Sequence, residues 1–224
     1  MISIIVPALN EESGIGATLA CLLSLKGEKE IIVADGGSED ETVGRARACG
    51  VRVIECERGR GVQMHAAAIA AAGDVLWFLH ADTVPELHAL EDIEISLRDP
   101  RVIGGNFSLV FEGAGLAAKQ MTWIYPRLRF LGLCYGDAGI FVRRSSYREI
   151  GGFRPFPLFE DLDLIRRLKR RGKFVHLDTR VFTSSRRFSG AKYVRVWTQW
   201  IALQMLFWAG VSPHRLARLY RQIR

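Results

Sequence analysis

Cysteine is scarce, four in 224 residues, and Cys21, Cys49, Cys56 and Cys134 form no CxxC pair and stand at no ligand spacing from a histidine. That excludes a disulfide framework and a structural zinc site and leaves four free thiols of a reducing compartment. Long apolar runs are missing too: the longest, Val196 to Val211, is 16 residues interrupted by Thr198, Gln199 and Gln204. It is short for a helix crossing roughly 30 Å of hydrocarbon, so no transmembrane span is expected. A basic leader is absent, since MISIIVPALNEE begins without Lys or Arg and breaks its apolar run at Pro7 and again at Asn10, Glu11 and Glu12. It reads as a strand and not a signal peptide. Acidic residues stop at Asp178: from Thr179 to Arg224 there are nine basic residues and no Asp or Glu, leaving 22 basic against 24 acidic before them. The net charge of +7 therefore belongs to the tail. The body alone does not suit nucleic acid; a tail this basic suits nucleic acid, an anionic membrane face or a phosphorylated ligand, and no nucleic-acid partner is expected for the chain.

What is present is a globular composition, 49% hydrophobic and 25% charged. A domain of this size buries roughly three quarters of its unfolded surface or a little less, so any metal would serve chemistry and not the core. Apolar, β-branched runs alternate with helical stretches: Ser3 to Pro7, a helix near Ile15 to Ser24, Glu30 to Ala34, a helix near Glu41 to Ala48, Val51 to Glu55, a helix from about Val62 to Ala72, Val75 to His80, and a helix from Pro85 to about Leu97. Strands of this kind separated by helical crossovers predict an α/β doubly wound, mostly parallel sheet with helices on both faces. Val102 to Phe111 and Ala138 to Arg143 read as further strands, Leu116 to Leu133 as an irregular helical region, and Glu160 to Arg171 as an amphipathic helix with acids in its first turn. One domain over 1–191 and a C-terminal helical extension over 192–224, apolar and then basic, are expected.

Ligands of open α/β sheets sit beyond the carboxyl ends of the strands. Those ends carry Pro7-Ala8-Leu9-Asn10-Glu11-Glu12, Asp35-Gly36-Gly37-Ser38, Arg58-Gly59-Arg60-Gly61, His80-Ala81-Asp82 and Tyr135-Gly136-Asp137. Each alone is an ordinary turn; together they read as the rim of one site. A dinucleotide fingerprint fails, because Leu19 stands where a third glycine should follow Gly14 and Gly16, and the glycines come seven residues after the strand. Gly59-Arg60-Gly61 is not followed by Gly-Lys-Ser/Thr and is no P-loop. Asp82 at a strand end is a hard oxygen ligand suited to Mg²⁺ or Mn²⁺, or a turn cap before a helix begun by Thr83 and Pro85.

In this order the motifs SIIVPALNEE (Ser3 to Glu12), Asp35 to Thr42, Arg58 to Gly61 with Gln63, Gly73-Asp74, His80 to Thr83, Gly151-Gly152-Phe153 and Glu160-Asp161 resemble those of family 2 glycosyltransferases with the GT-A fold. The resemblance implies that Pro7, Ala8, Asn10, Glu12 and Asp35 hold the base and ribose of a nucleotide sugar, with Arg60, Gly61, Gln63 and Ala81 near the nucleotide and diphosphate. It implies that Asp82 is the metal ligand. His80 replaces the aspartate that opens the family's Asp-x-Asp motif, and imidazole can donate to a ribose hydroxyl or ligate Mn²⁺. Asp161 matches the base that deprotonates the acceptor hydroxyl in an inverting, in-line transfer, with Glu160 beside it. A helix N-terminus would keep its pKa low. Gly136 and Asp137 face the acceptor in this scheme, and Arg186 and Arg187 would form a lid over the diphosphate. The Gln-x-x-Arg-Trp signature of processive members is missing, which favours single-sugar transfer.

The tail supplies Trp197, Trp200, Ile201, Leu203, Met205, Leu206, Phe207 and Trp208, then a helix starting at Ser212-Pro213 with Arg215, Arg218, Arg221 and Arg224. These helices complete the core or meet an anionic membrane face; a dimer face is the further alternative, and the oligomeric state is open. The expected partners are a nucleotide-sugar donor, UDP- before GDP-linked, and a small or lipid-linked acceptor, in the cytoplasm or peripherally on the cytoplasmic membrane face. Two other readings stand beside this one: a nucleotide-sugar-binding protein without transferase activity, and a sugar nucleotidyltransferase. The last would want a Gly-rich loop where Ala8-Leu9-Asn10-Glu11 stands.

Overall fold

The computed structural model describes residues 1–113, 119–124, 136–184 and 193–220, with side chains throughout except at 193–197. In chain order come β1 (Ile2–Ala8), α1 (Ile15–Ser24), β2 (Lys29–Asp35), α2 (Thr42–Ala48), β3 (Arg52–Glu55), α3 (Arg60–Ala70), β4 (Val75–Phe78), β5 (Thr83–Pro85), α4 (Ala89–Ser96) and β6 (Val102–Glu112). A helical stretch α5 (119–124), a 3-10 turn (Gly136–Ala138), β7 (Ile140–Arg143), α6 (Arg144–Glu149), α7 (Glu160–Lys169), β8 (Lys173–Ser184), α8 (Tyr193–Trp208) and α9 (Pro213–Leu219) follow.

The strands form one eight-stranded sheet in the order β3-β2-β1-β4-β7-β6-β8-β5. The half from β3 to β4 is wholly parallel, β7 runs antiparallel to both of its neighbours, β8 is parallel to β6, and β5 is antiparallel to β8. The continuous apolar strands are buried on both faces because successive side chains alternate. Ile4 and Val6 join Ile15, Leu19, Leu22, Leu90 and Ile93 on one side, while Ile5 joins Met64, Ala67, Leu164, Ile165 and Leu168 on the other. Each such side chain contributes about 1.5–3 kcal/mol. Gly73 shows why a glycine precedes β4: its N–H donates to Ser3 Oγ at 2.9 Å, and a Cβ there would lie 2.5 Å from that oxygen.

The structure departs from the sequence-based expectation in two places. Thr83 and Pro85 do not begin a helix; they form β5, whose Val84 pairs with Phe182, and α4 starts only at Ala89. The segment after α7, to which the sequence pattern assigns no strand, is a 12-residue strand, β8, running from Lys173 to Ser184. Of the cysteines, Cys21, Cys49 and Cys56 are free; Cys134 lies outside the described residues.

The C-terminal helices pack on the start of α7. Leu203 and Leu216 are buried with Leu158, Phe159 and Leu162, flanked by Trp200, Phe207, Val211 and Tyr220. The opposite face of α8 stays exposed. No helix of the described residues is long and apolar enough to cross a membrane.

Candidate functional site

The carboxyl ends of β1 and β2 lie side by side, Ala8 in register with Asp35, and their loops are cross-linked by hydrogen bonds. Asp35, buried, accepts from the N–H groups of Gly37 and Ser38 at 2.9 Å through Oδ2 and from the Ser38 hydroxyl through Oδ1. Asn10, with φ of 54°, donates its N–H to Ser38 Oγ and accepts from Glu39 N–H through Oδ1, both at 2.9 Å. Asparagine tolerates this left-handed backbone better than most residues. Glu12 donates its N–H to Asp40 and accepts from Glu41 N–H, both at 3.2 Å. Pro7 and Ala8 are the last residues of β1. Gln63 braces this rim from α3: its buried amide donates to the carbonyls of Ala8 and Ala34, each at 2.8 Å. The sequence places Gln63 at the nucleotide, whereas the geometry engages its amide on two strand ends.

Beyond β4, Ala81 is buried and its carbonyl accepts from the Thr18 hydroxyl at 2.7 Å. His80 Nδ1 is 3.2 Å from Asp137 Oδ1. Asp82 is half-buried before β5, so it caps no helix, and among the described residues no hydrogen bond or ion pair engages its carboxylate. No cluster of three or more His, Cys, Asp or Glu side chains suited to a metal occurs among the described residues.

The facing wall is the first turn of α7. Arg167, on that helix, donates to Asp163 and to the carbonyls of Ile150 and Gly152 at 2.7–2.8 Å, tying α7 to the Gly151-Gly152 turn. Both glycines have left-handed φ, 76° and 66°, and a Cβ on Gly152 would lie 2.6 Å from His65. Phe153 packs edge-on to Phe78, and its N–H donates to Tyr147 Oη at 3.1 Å. Phe159, left-handed at φ of 62°, is fully buried against Trp200 and Phe207 of α8. Two fixed turns and the C-terminal helices thus aim Glu160 and Asp161.

Glu160 is 2% exposed and accepts from Arg60 Nε at 2.6 Å. Arg60 Nη1 is 3.9 Å from Asp137, and the Glu160 charge raises the guanidinium's affinity for its proton. Gly61 must be small here, since a Cβ would meet the Arg154 carbonyl at 3.0 Å and Glu160 Cβ at 3.2 Å. Asp161 is half-buried; its Oδ2 accepts from Gly136 N–H and its Oδ1 from Leu162 N–H at 2.8 Å. Burial, and then the Glu160 charge, push its pKa up to about 7 against the opposing pull of Arg60 and the Gly136 N–H. This corrects the low value expected from the helix N-terminus: loss of solvation and a like charge next door outweigh the dipole.

The structure therefore brings Arg60, Gly61, His80, Gly136, Asp137, Glu160 and Asp161 into one chain of contacts, with Asp35, Asn10, Glu12 and Gln63 forming the neighbouring rim. Arg186, Arg187 and Tyr135 lie outside the described residues. Sequence reasoning missed Phe159, Tyr147 and Arg167, which aim α7. The only signal for them was the Gly151-Gly152-Phe153 motif, whose partners lie elsewhere in the chain.

Comparison with known proteins bears on the family and the fold. The family described as "Glycosyl transferase family 2" matches residues 3–150. A glucosyl-3-phosphoglycerate synthase of Mycolicibacterium smegmatis is 34% identical over 94 residues, 37% of this chain and 31% of that protein. The match thus spans about a third of the length of such relatives. Among solved structures, the glucosyl-3-phosphoglycerate synthase of Mycobacterium tuberculosis, in complex with Mn²⁺, uridine diphosphate and glucosyl-3-phosphoglycerate, has a TM-score of 0.63 at 22% identity over 80% of this chain and 70% of that one. The mannosyltransferase PcManGT of Pyrobaculum calidifontis, in complex with GDP-Man and Mn²⁺, has a TM-score of 0.71 at 17% identity over 99% of this chain and 65% of that one. At these identities the structural likeness speaks for the GT-A fold.

Proposed function

The chain belongs to glycosyl transferase family 2, and from that premise we propose that it transfers a single sugar from a nucleoside diphosphate sugar to an acceptor hydroxyl, with inversion, using Asp161 as general base. The observation that carries this is the placement of Asp161, a half-buried carboxylate in the first turn of α7 that the Gly136 and Leu162 N–H groups hold beside Glu160, where burial and the Glu160 charge raise its pKa to about 7. A general base works best with a pKa near the working pH. The acceptor oxygen attacks the anomeric carbon, the bond to the diphosphate breaks, and the hydroxyl proton passes to Asp161. Single transfer follows from the missing processive signature.

Asp35 is the residue for the donor base. An ionised carboxylate offers about four lone-pair sites, of which the loop takes three, leaving one for the N–H of uracil or guanine. UDP- and GDP-sugars both remain donors on this reading, as in the two solved neighbours, with UDP favoured. Asp82 fits a divalent ion: Mg²⁺ and Mn²⁺ are commonly held by one or two carboxylates plus substrate phosphates, which needs no three-ligand protein cage and uses a carboxylate no protein donor engages. His80 would stand beside it. Such an ion, when bound, neutralises charge on the departing diphosphate. The acceptor is a hydroxyl compound, small or lipid-linked.

The exposed face of α8 carries Ile201, Met205, Leu206 and Trp208, and α9 exposes Arg215, Arg218 and Leu219. Apolar and cationic groups in this arrangement suit peripheral contact with an anionic membrane face. Sedimentation with phosphatidylglycerol vesicles but not phosphatidylcholine vesicles, lost in Trp208→Ser, tests that part alone.

The central test is calorimetric titration of UDP and GDP, each with and without Mn²⁺, into wild type and Asp82→Ala. Metal-dependent binding of one nucleotide that Asp82→Ala abolishes is expected. Binding of neither nucleotide sinks the transferase reading.

A further inference from the structure

Glu160 is almost completely buried, and its second oxygen, Oε2, has no hydrogen-bond partner among the described residues. Its first oxygen accepts a hydrogen bond from Arg60 Nε, 100 residues away in the chain. The first turn of α3 also lies close against this carboxylate's stem: a Cβ on Gly61 would come within 3.2 Å of Glu160 Cβ and 3.0 Å of the Arg154 carbonyl. Arg60 and Glu160 thus join α3, which follows the third strand end, to α7, which carries the base.

This geometry competes with the role the resemblance implies for Arg60: Nε is engaged by Glu160 and Nη1 lies 3.9 Å from Asp137, so a diphosphate would share the guanidinium with two carboxylates. If the guanidinium turned to a diphosphate, Glu160 would remain as a buried carboxylate without its counter-ion, immediately beside Asp161. Removing the cation from a pair whose carboxylate is buried costs far more than forming the pair gains. Asp137 adds a further carboxylate, whose Oδ1 lies 3.9 Å from the same guanidinium and 3.2 Å from His80 Nδ1.

We infer that Arg60 is a positioning residue for the base: its charge serves the carboxylates Glu160 and Asp137 and holds the first turn of α7 in place, and it is not a ligand of the donor diphosphate. The inference rests on the reading of Asp161 as the base. Its consequence is electrostatic. Asp161 feels a like charge from Glu160 on its own helix, a weaker one from Asp137 on the 3-10 turn, an opposite charge from Arg60 on α3 and the Gly136 N–H. Deleting Arg60 and deleting the Glu160 charge should therefore move Asp161 in opposite directions.

The test compares Arg60→Gln, Glu160→Gln, the double variant and Arg60→Lys. Two readouts are taken: the carboxyl titration of Asp161 by ¹³C NMR, assigned with Asp161→Asn, and the acid limb of the pH–rate profile. Arg60→Gln should shift the Asp161 titration upward and Glu160→Gln should shift it downward by more, since the Glu160 charge is the larger of the two influences. The double variant should lie between the two single variants, and Arg60→Lys should recover most of the shift. UDP affinity in Mn²⁺ should change less than about tenfold, that is, by less than about 1.4 kcal/mol. A larger loss of UDP affinity in Arg60→Gln with the Asp161 titration unmoved would make Arg60 a diphosphate ligand and overturn the inference. Should Arg60→Gln fail to fold, Glu160→Gln decides alone, and an unmoved Asp161 titration in it counts against the inference. Because the NMR titration needs no turnover, a chain without transferase activity would fail the functional reading while the titration still decides what Arg60 does.

Discussion

The two walls of the site are built by different physics. The wall formed by the β1 and β2 loops is held by backbone N–H groups pointing at short side chains, Asp35, Ser38, Asn10 and Asp40, within turns that the local sequence nearly dictates. The wall formed by α7 is held by an ion pair whose carboxylate is buried, a second carboxylate with raised pKa and two left-handed turns, with partners dispersed along the chain. A hydrogen-bonded loop gives a shape fit for binding, and a buried charge cluster gives a tuned proton affinity fit for chemistry. Substitutions on the two walls should therefore fail in different ways.

The largest effect belongs to the α7 wall. Asp161→Asn keeps the size of the side chain and removes its basicity, so the rate of nucleoside diphosphate release in the presence of acceptor should fall about 10²- to 10⁴-fold. UDP affinity should be unchanged. Asp35→Ala on the other wall should do the reverse, weakening UDP binding far more than it slows turnover of saturated enzyme. A coupled assay of nucleotide release with calorimetry on both variants checks the pair, and a shared pattern of loss would dissolve the distinction between the walls.

A smaller effect, opposite in sign, concerns stability. The folded-state pKa of Asp161, about 7, lies above an ordinary aspartate's value near 4, so the folded protein binds the proton more tightly than the unfolded chain. Stability contributed by this group is present below the unfolded value and is lost as pH rises toward 7. Asp161→Asn should therefore melt at a higher temperature than wild type at pH 8, with the difference shrinking on acidification toward pH 4. Thermal denaturation at both pH values measures it. A pH-independent difference would mean that packing and not charge is responsible.

How much of this is legible in the sequence follows the same division. The donor wall is readable in part: Asp35 meets Ser38 three residues on and β1 and β2 announce themselves as apolar runs, whereas the bonds from Asn10 and Glu12 to the second loop span 28 or 29 residues and are not local. Asp161 can be found from the Glu-Asp pair after the glycine turn, but its pKa cannot, because the helix position is local information and burial beside Glu160 is not. The partnership of Arg60 with Glu160 is not readable at all, since nothing in either segment names the other. β8 escapes because Lys173, His176, Asp178 and Arg180 interrupt its apolar pattern; its place between β6 and β5 makes it a strand. β5 reads as a helix start because Thr and Pro serve both purposes, and only the pairing of Val84 with Phe182 decides.

The smallest effect tests where the donor wall gets its rigidity. Gln63 donates to the carbonyls that end β1 and β2, and a Cβ on Gly36 would come within 2.9 Å of its amide carbon, so the rim is packed against this side chain as well as bonded to it. Gln63→Leu keeps the bulk and removes the donor. The Ala8 carbonyl retains the Gly36 N–H at 3.0 Å, so it is not left without a partner, and the loss falls at the low end for buried hydrogen bonds, about 1–2 kcal/mol. Urea denaturation should show that loss, with UDP affinity weakened only in step with a looser rim. If Gln63 instead touched the nucleotide, the variant would lose affinity sharply while its stability stayed at the wild-type value. The two outcomes separate a brace beneath the binding wall from a part of its surface.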